Sequence, residues 1–211
     1  MTELVVSRKL VKQLTQVKAV AFDLDNTLVS SDLDFVALRA ELYCPADQDL
    51  LLYVENQSCD TIKSDMEKTI LEHEMRDAQR SAPMLGALDL LSRLREAEFH
   101  LAIVTRNCRK ATLKKTSVNN IRVDRIISRE DYPAKPNPAS LMSLCQQWNL
   151  RPDQLLYVGD HLYDIKTAHN AGSLSCYIAH ANATEPQVKP SLYFDELTDL
   201  HSLFDQIIAS R

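Results

Sequence analysis

Short apolar runs recur along the chain, each followed by a polar turn and then by a segment with helical spacing. This alternation is typical of βα units and predicts an α/β fold, in which a Rossmann-like core carries a mainly parallel sheet flanked by helices. The predicted strands are Ala19–Phe22, Leu101–Val104, Arg125–Ile127, Leu155–Val158, Leu174–Ile178 and a short edge strand at Leu192–Phe194. The predicted helices are Leu85–Glu96, Arg109–Thr116, Pro138–Trp148, Tyr163–Ala171 and Asp195–Ile208.

One stretch, from residue 33 to residue 82, lacks any strand-like run. Apolar residues recur there at helical spacing, as at Phe35, Leu38 and Leu42. We therefore expect a small all-helical cap domain at 33–82, inserted after the first strand of a Rossmann-like core domain formed by 1–32 and 83–211.

The overall charge is acidic, with a formal net value of -5 and a pI near 5.7. Such a balance argues against a general nucleic-acid binder, because those proteins present a basic face to phosphates. The basic cluster Arg109, Lys110, Lys114 and Lys115 is predicted to be the solvated outer face of a helix. The charge-rich segment Ser64–Gln79 is likewise predicted to be an exposed helix of the cap.

The five cysteines are scattered and form no CxxC pair, which indicates reduced thiols rather than a zinc site or a redox couple. The first residues carry spaced charges and lack the apolar stretch of a signal peptide. No segment approaches the roughly 20 apolar residues of a membrane span. We expect a cytoplasmic protein that needs no membrane partner.

Polar side chains follow the predicted strands at their carboxyl ends, the edge at which open parallel sheets bind ligands. They are Asp23 and Asp25 after the first strand, Thr105, Arg106 and Asn107 after the second, Lys135 beyond the third, and Asp160 with Asp164 after the fourth. Several carboxylates at one edge repel each other, and a hard cation with oxygen ligands relieves that repulsion. Mg²⁺ is the natural candidate, because the set contains no histidine or thiol ligand.

The same residues suggest a reaction. Asp23 is a candidate nucleophile that forms an aspartyl-phosphate, and Asp25 a candidate general acid and base. Thr105 offers a hydroxyl, and the backbone amides after it open a helix, so this turn can hold phosphate oxygens. Lys135 supplies a compact positive charge for the transition state.

Four segments resemble, in order, the four motifs of the haloacid dehalogenase superfamily of hydrolases. They are DLDNT at 23–27, the threonine of IVTRN, the lysine of KPNP and GDHLYD at 159–164. Downstream, Ala168, Ala171 and Gly172 continue the GDxxxDxxxAxxAG pattern of phosphoglycolate-phosphatase-like members. A helical insertion between the first two motifs is similar to the C1 cap class of that superfamily.

The resemblance implies a set of metal ligands: Asp23, the backbone carbonyl of Asp25, and Asp160, with Asp164 supporting the metal shell. Thr105, Arg106, Asn107 and Lys135 are candidate substrate contacts. Arg39, on the first predicted cap helix, is either a contact for an anionic leaving group or an ordinary surface arginine.

The expected function is Mg²⁺-dependent hydrolysis of a small phosphate monoester, such as a phosphoglycolate-like compound or a sugar phosphate. A phosphomutase of the same superfamily is an alternative, because it uses the same aspartyl-phosphate. A non-catalytic binding module is a third interpretation. The expected partner is a small phosphorylated metabolite, with no nucleic acid and no membrane, and the chain is expected to be a monomer or a homodimer.

Overall fold

The computed structural model describes residues 8–179 and 186–210. Its central feature is a parallel six-stranded sheet with the strand order β3-β2-β1-β4-β5-β6. The strands are β1 (Ala19–Phe22), β2 (His100–Val104), β3 (Arg125–Ile127), β4 (Leu155–Gly159), β5 (Leu174–Ile178) and β6 (Leu192–Phe194). The predicted α/β fold class is confirmed.

The helices occupy both faces of this sheet and the segment between β1 and β2. They are α1 (Arg8–Leu14), α2 (Phe35–Glu41), α3 (Leu50–Glu55), α4 (Asp60–Arg80), α5 (Ala87–Glu96), α6 (Arg109–Val118), α7 (Ala139–Gln147), α8 (Leu162–Ala171) and α9 (Leu197–Ala209). Helix α5 begins two residues later than predicted, because Gly86 adopts a left-handed conformation at φ 78°. Helix α1 was not predicted.

Alternate residues of the buried strands face two apolar layers. On one face, Val20 and Phe22 of β1 belong to a cluster that includes Leu94 of α5 and Phe204 of α9. On the other face, Ala19 and Ala21 belong to a cluster with residues of α7 and α8. Because both faces of β1 are covered, this strand is apolar throughout and Asp23 is the first charged residue after it.

Helices α2, α3 and α4 lie within the predicted cap range and have an apolar cluster of their own, which includes Leu38, Leu50, Val54 and Ile70. Helix α4 packs against α6 of the core. The boundaries of the two predicted domains, 1–32 with 83–211 and 33–82, stay a prediction, and 1–7, 180–185 and residue 211 lie outside the described residues.

Two expectations about charged surfaces are wrong. Lys115 is fully buried, whereas Arg109 and Lys110 of the same predicted solvated face are exposed. Glu74 and Asp77, within the helix predicted to be exposed, are also buried. The physical reason is the packing of α4 on the core, which removes these charges from water; Asp77 pairs with Lys115 of α6, and Glu74 pairs with Arg129 in the loop after β3.

No helix among the described residues is both long enough and apolar enough to cross a membrane.

Candidate active site

Lys135 links the predicted nucleophile, Asp23, to Asp164, a residue predicted to support the metal shell. Its Nζ donates to Asp23 Oδ1 at 2.7 Å and to Asp164 Oδ1 at 2.6 Å. All three side chains are buried. Residues from the loop after β3, the end of β1 and the first turn of α8 thus meet at one point, as the positions of these residues at strand ends predicted.

Asp23, Asp160 and Asp164 form a compact acidic cluster at the carboxyl edge of the sheet. One oxygen from each carboxylate lies within 4.8 Å of the others. The donors are all carboxylate oxygens, which suit a hard divalent cation such as Mg²⁺ better than zinc or copper. The cluster therefore fits a metal of this class, whereas the predicted contribution of the Asp25 carbonyl stays a prediction.

The cluster fits a cation for an electrostatic reason as well. Burial raises the pKa of Asp23 to about 8; attraction to Lys135 opposes this shift, while repulsion from Asp164 and Asp160 adds to it. An additional positive charge beside Asp23 would favour the ionised form that a nucleophile requires.

Gly159 makes room for Asp164. A Cβ atom on Gly159 would lie 2.3 Å from Asp164 Oδ2, well inside van der Waals contact. That same oxygen accepts a hydrogen bond from the backbone amide of His161 at 3.0 Å, at the start of α8. The Gly-Asp sequence at the end of β4 therefore allows Asp164 to reach both the helix start and Lys135.

Asp25 points to a different set of partners from those of Asp23. Its Oδ2 accepts a hydrogen bond from Asn107 Nδ2 at 2.9 Å, and its Oδ1 contacts Lys115 Nζ. Lys115 Nζ also donates to Asp77 Oδ2 of the cap helix α4 at 2.5 Å. Burial works against the charge on Lys115, but attraction to Asp25 and hydrogen bonds to both carboxylates keep its pKa above the ordinary value.

The turn after β2 is the segment predicted to hold phosphate oxygens. The amide of Asn107 donates to Thr105 Oγ1 at 3.1 Å. The next two amides, of Cys108 and Arg109, donate to the carboxylates of Glu74 and Glu130. Protein carboxylates therefore satisfy the Cys108 and Arg109 amides at the start of α6, and the role of this turn in holding phosphate oxygens stays a prediction.

Two arginines hold the cap side of the site. Arg106 Nη2 pairs with Asp49 Oδ2 at 2.5 Å, and its guanidinium lies 5.4 Å from the centre of the Tyr163 ring. Arg39 Nη1 donates to the carbonyl oxygens of Pro45 and Gln48 at 3.0 and 2.7 Å, which fixes the loop before α3. Arg39 is half-buried, and its predicted contact with an anionic leaving group stays a prediction.

A cavity of about 600 Å³ opens above the acidic cluster, between the sheet edge and the cap. Its floor contains Asp23, Asp25, Thr105, Lys135 and Asp160. Its cap side combines apolar residues, including Phe35, Leu38 and Ile70, with Arg39 and Asp49. All the predicted site residues except Asp164 therefore line one space large enough for a small organic phosphate.

Sequence reasoning missed several polar partners. The Tyr157 hydroxyl lies 3.1 Å from Asp164 Oδ1 and 2.9 Å from the Val104 carbonyl oxygen and can donate its one proton to either, but in the sequence Tyr157 stands inside an apolar strand. Asp77 pairs with Lys115 and Glu74 with Arg129 where α4 packs against the core. The one sequence signal for Lys115 is its position four residues after Ala111, on the buried face of α6.

The parallel sheet and the carboxylates at its edge define a class of protein, the Rossmann-like hydrolases that act at the carboxyl ends of their strands. Residues 20–178, more than half of the chain, match the family described as haloacid dehalogenase-like hydrolase. The chain belongs to this family.

Individual relatives agree with this assignment. The chain is 27% identical to a haloacid dehalogenase-like hydrolase domain-containing protein of Arabidopsis thaliana, over 90% of this chain and 85% of the relative. It is also 27% identical to the phosphoglycolate phosphatase of Pasteurella multocida, over 91% of this chain and 100% of that protein. The comparisons confirm the predicted class of enzyme, a phosphatase of this family.

The fold itself matches a crystal structure of a predicted phosphoglycolate phosphatase from Haemophilus somnus. The TM-score is 0.72 at 23% sequence identity, and the match covers 90% of this chain and 98% of the other.

Proposed function

We propose that this protein is a Mg²⁺-dependent phosphatase that hydrolyses small-molecule phosphate monoesters by way of a phosphorylated Asp23. The observation that supports this most directly is the pairing of Lys135 with Asp23 and Asp164 beside Asp160, on the floor of the cavity. A nucleophilic carboxylate, a fixed cation and a group of oxygen donors are what phosphoryl transfer to an aspartate requires.

In the first step, an oxygen of Asp23 attacks phosphorus in line with the bond to the leaving group. Lys135 keeps Asp23 in place and offsets the negative charge that develops on the phosphoryl oxygens. Thr105, on the cavity floor, offers a hydroxyl to one of those oxygens. The bond from phosphorus to the substrate oxygen breaks, and the phosphoryl group remains on Asp23.

Asp25 carries the proton in both halves of the reaction. It protonates the departing alkoxide, and the resulting carboxylate then accepts a proton from the water that attacks the phosphorylated Asp23. Asn107 holds Asp25 from within the turn after β2, so the acid–base group and the turn move together.

Asp23, the backbone carbonyl of Asp25, and Asp160 would hold the Mg²⁺, and Asp164 would support this group through its bond to Lys135. When bound, the ion supplies positive charge that neutralises the phosphoryl oxygens.

The substrate in this proposal is a small phosphorylated metabolite, and neither nucleic acid nor a membrane is required. The limited volume of the cavity, about 600 Å³, favours compact leaving groups. Phosphoglycolate is the first compound to try, because relatives of the chain carry the name phosphoglycolate phosphatase, and sugar phosphates come next. We further propose a cytoplasmic location and a monomeric or homodimeric state.

The test is phosphate release from a panel of phosphorylated metabolites and from p-nitrophenyl phosphate, with Mg²⁺ or with EDTA. We expect turnover with Mg²⁺, and none with EDTA or in Asp23→Asn. Asp153→Asn is the control, since Asp153 is an exposed partner of Arg151. Turnover by Asp23→Asn at the wild-type rate would contradict the proposal.

A phosphomutase would return the phosphoryl group to a sugar hydroxyl instead of releasing phosphate. Product analysis with a sugar phosphate, with and without a bisphosphate activator, separates the two activities.

A further inference from the structure

Lys115 is a buried lysine held between the core and the cap. Its side chain is 1% exposed, and its Nζ bridges the carboxylates of Asp25 and Asp77. Asp25 belongs to the loop after β1, whereas Asp77 belongs to the cap helix α4. A buried ammonium is tolerated only while it is paired, so the docking of α4 and the position of Asp25 are linked through one side chain.

The contacts on Asp25 leave its carboxylate little freedom. Lys115 occupies Oδ1, and Asn107 donates to Oδ2 at 2.9 Å. Both partners are buried, and both come from the segment that follows β2. The orientation of Asp25 is therefore set by Asn107, which lines the cavity, and by Lys115, which does not line it.

Asp77 is itself fixed by the segment that enters the cap. Its Oδ2 accepts a hydrogen bond from Ser31 Oγ and its Oδ1 one from the backbone amide of Asp32, both at 2.8 Å. A shift of α4 relative to the core would break these bonds and would pull Asp77 away from Lys115. The cap entry, α4, α6 and Asp25 thus form one connected set of contacts.

We propose that Lys115 and Asp77 are positioning residues for Asp25, which hold its carboxyl group in the orientation required for proton transfer when α4 is docked on α6. This inference rests on the proposed function, because that function gives Asp25 its acid–base role. Lys115 and Asp77 touch neither the phosphoryl group nor the nucleophile; they act through Asp25.

A change in the orientation of Asp25 should affect the rate at which the leaving group departs. As the phosphorus–oxygen bond breaks, a proton moves from the Asp25 carboxyl to the departing oxygen, while the new bond forms from phosphorus to Asp23. A strongly acidic leaving group such as p-nitrophenol departs without much help, whereas phenol, a weaker acid, depends more on a well-placed proton donor. A misplaced Asp25 therefore slows phenyl phosphate more than p-nitrophenyl phosphate.

The experiment measures kcat/KM for phenyl phosphate and p-nitrophenyl phosphate in wild type, Lys115→Gln and Asp77→Asn. The substrate ratio is kcat/KM for phenyl phosphate divided by kcat/KM for p-nitrophenyl phosphate. We expect this ratio to fall roughly tenfold in both variants, which is a part of the full effect of general acid catalysis. Asp77→Asn keeps the size and most hydrogen bonds of the residue, so it carries the test alone if Lys115→Gln does not fold.

Asn119→Ala is the matched control. Asn119 lies at the end of α6 and Ser81 at the end of α4. Asn119 Nδ2 donates a hydrogen bond to Ser81 Oγ at 2.8 Å. It joins the same two helices as Lys115 does, but its side-chain hydrogen bonds go to Ser81 Oγ and to the Lys115 carbonyl. We expect a lower melting temperature with an unchanged substrate ratio.

Asp25→Asn separates failure of this inference from failure of the proposed function. The inference is supported if Asp25→Asn lowers the substrate ratio and the double variant, Asp25→Asn with Lys115→Gln, has nearly the same ratio as Asp25→Asn alone. If Asp25→Asn lowers the ratio but Lys115→Gln and Asp77→Asn slow both substrates equally, the inference is overturned. A ratio that Asp25→Asn leaves unchanged overturns the acid–base role itself, and the inference with it.

Discussion

Substituting Gly159 with alanine tests whether the position of Asp164 in the acidic cluster requires a residue without a side chain at position 159. The added Cβ would meet Asp164 Oδ2 at 2.3 Å, so the carboxylate must move. Movement would weaken its bonds to the His161 amide and to Lys135. Overpacking costs about 1–3 kcal/mol and loss of a cap about 1 kcal/mol, so we expect a destabilisation of roughly 2–4 kcal/mol.

For a chain of this length, such a loss lowers the melting temperature by roughly 5–15 °C. Turnover should fall roughly 100-fold, because Lys135 would no longer be held at its place beside Asp23. Differential scanning fluorimetry and a p-nitrophenyl phosphate assay measure the two effects on the same preparation.

Gly172→Ala provides the comparison. Gly172 ends α8 at φ 74°, and an added Cβ would meet only Pro152, at 3.6 Å. We expect a cost of about 1–2 kcal/mol from the left-handed backbone, with turnover close to that of wild type. If Gly159→Ala is as active as Gly172→Ala, the dependence of the cluster on the bare backbone at Gly159 is refuted.

Three further predictions follow from burial and charge. Lys135→Met should lower kcat roughly 100- to 1000-fold, measured by phosphate release at a temperature where circular dichroism shows the variant folded. Phe204→Ala should destabilise the chain by about 3–5 kcal/mol in urea unfolding, since Phe204 is fully buried and packs edge-on against another ring. Iodoacetamide at mildly alkaline pH should label the exposed Cys59 first, because backbone amides at the start of α4 lower the pKa of its thiol. Cys108, whose thiol pKa burial raises to about 11, and the buried Cys176 should react late; equal labelling by mass spectrometry would contradict this order.

The strands and the catalytic floor could be predicted from sequence because both depend on local pattern. Four strands have the predicted bounds and the other two, β2 and β4, extend them by one residue, since most are apolar runs bounded by polar residues. Parallel strands in one sheet end at a common edge, which is why Asp23 and Asp160 could be expected to meet.

The contacts between cap and core could not be predicted in the same way. Lys115 and Asp77 lie 38 residues apart on two charged helices, and nothing local indicates that they pair. Glu74 gave no sign that it would reach the start of α6 and contact the amide of Cys108. Such pairs depend on how one helix docks against another, which apolar spacing alone does not specify for helices this polar.

The strand order sets the spacing of the three chain segments that carry catalytic residues at the edge of the sheet. Strand β1 lies between β2 and β4, so the three chain segments that present Asp23, Thr105 and Asp160 are immediate neighbours. Adjacent strands in a sheet lie about 4.8 Å apart, so the three segments span roughly 10 Å, about the breadth of a phosphate with its ligands. Main-chain hydrogen bonds between the strands fix this spacing. Side-chain changes in the cap can therefore alter which molecule enters the cavity without altering the spacing of the residues that bind its phosphate.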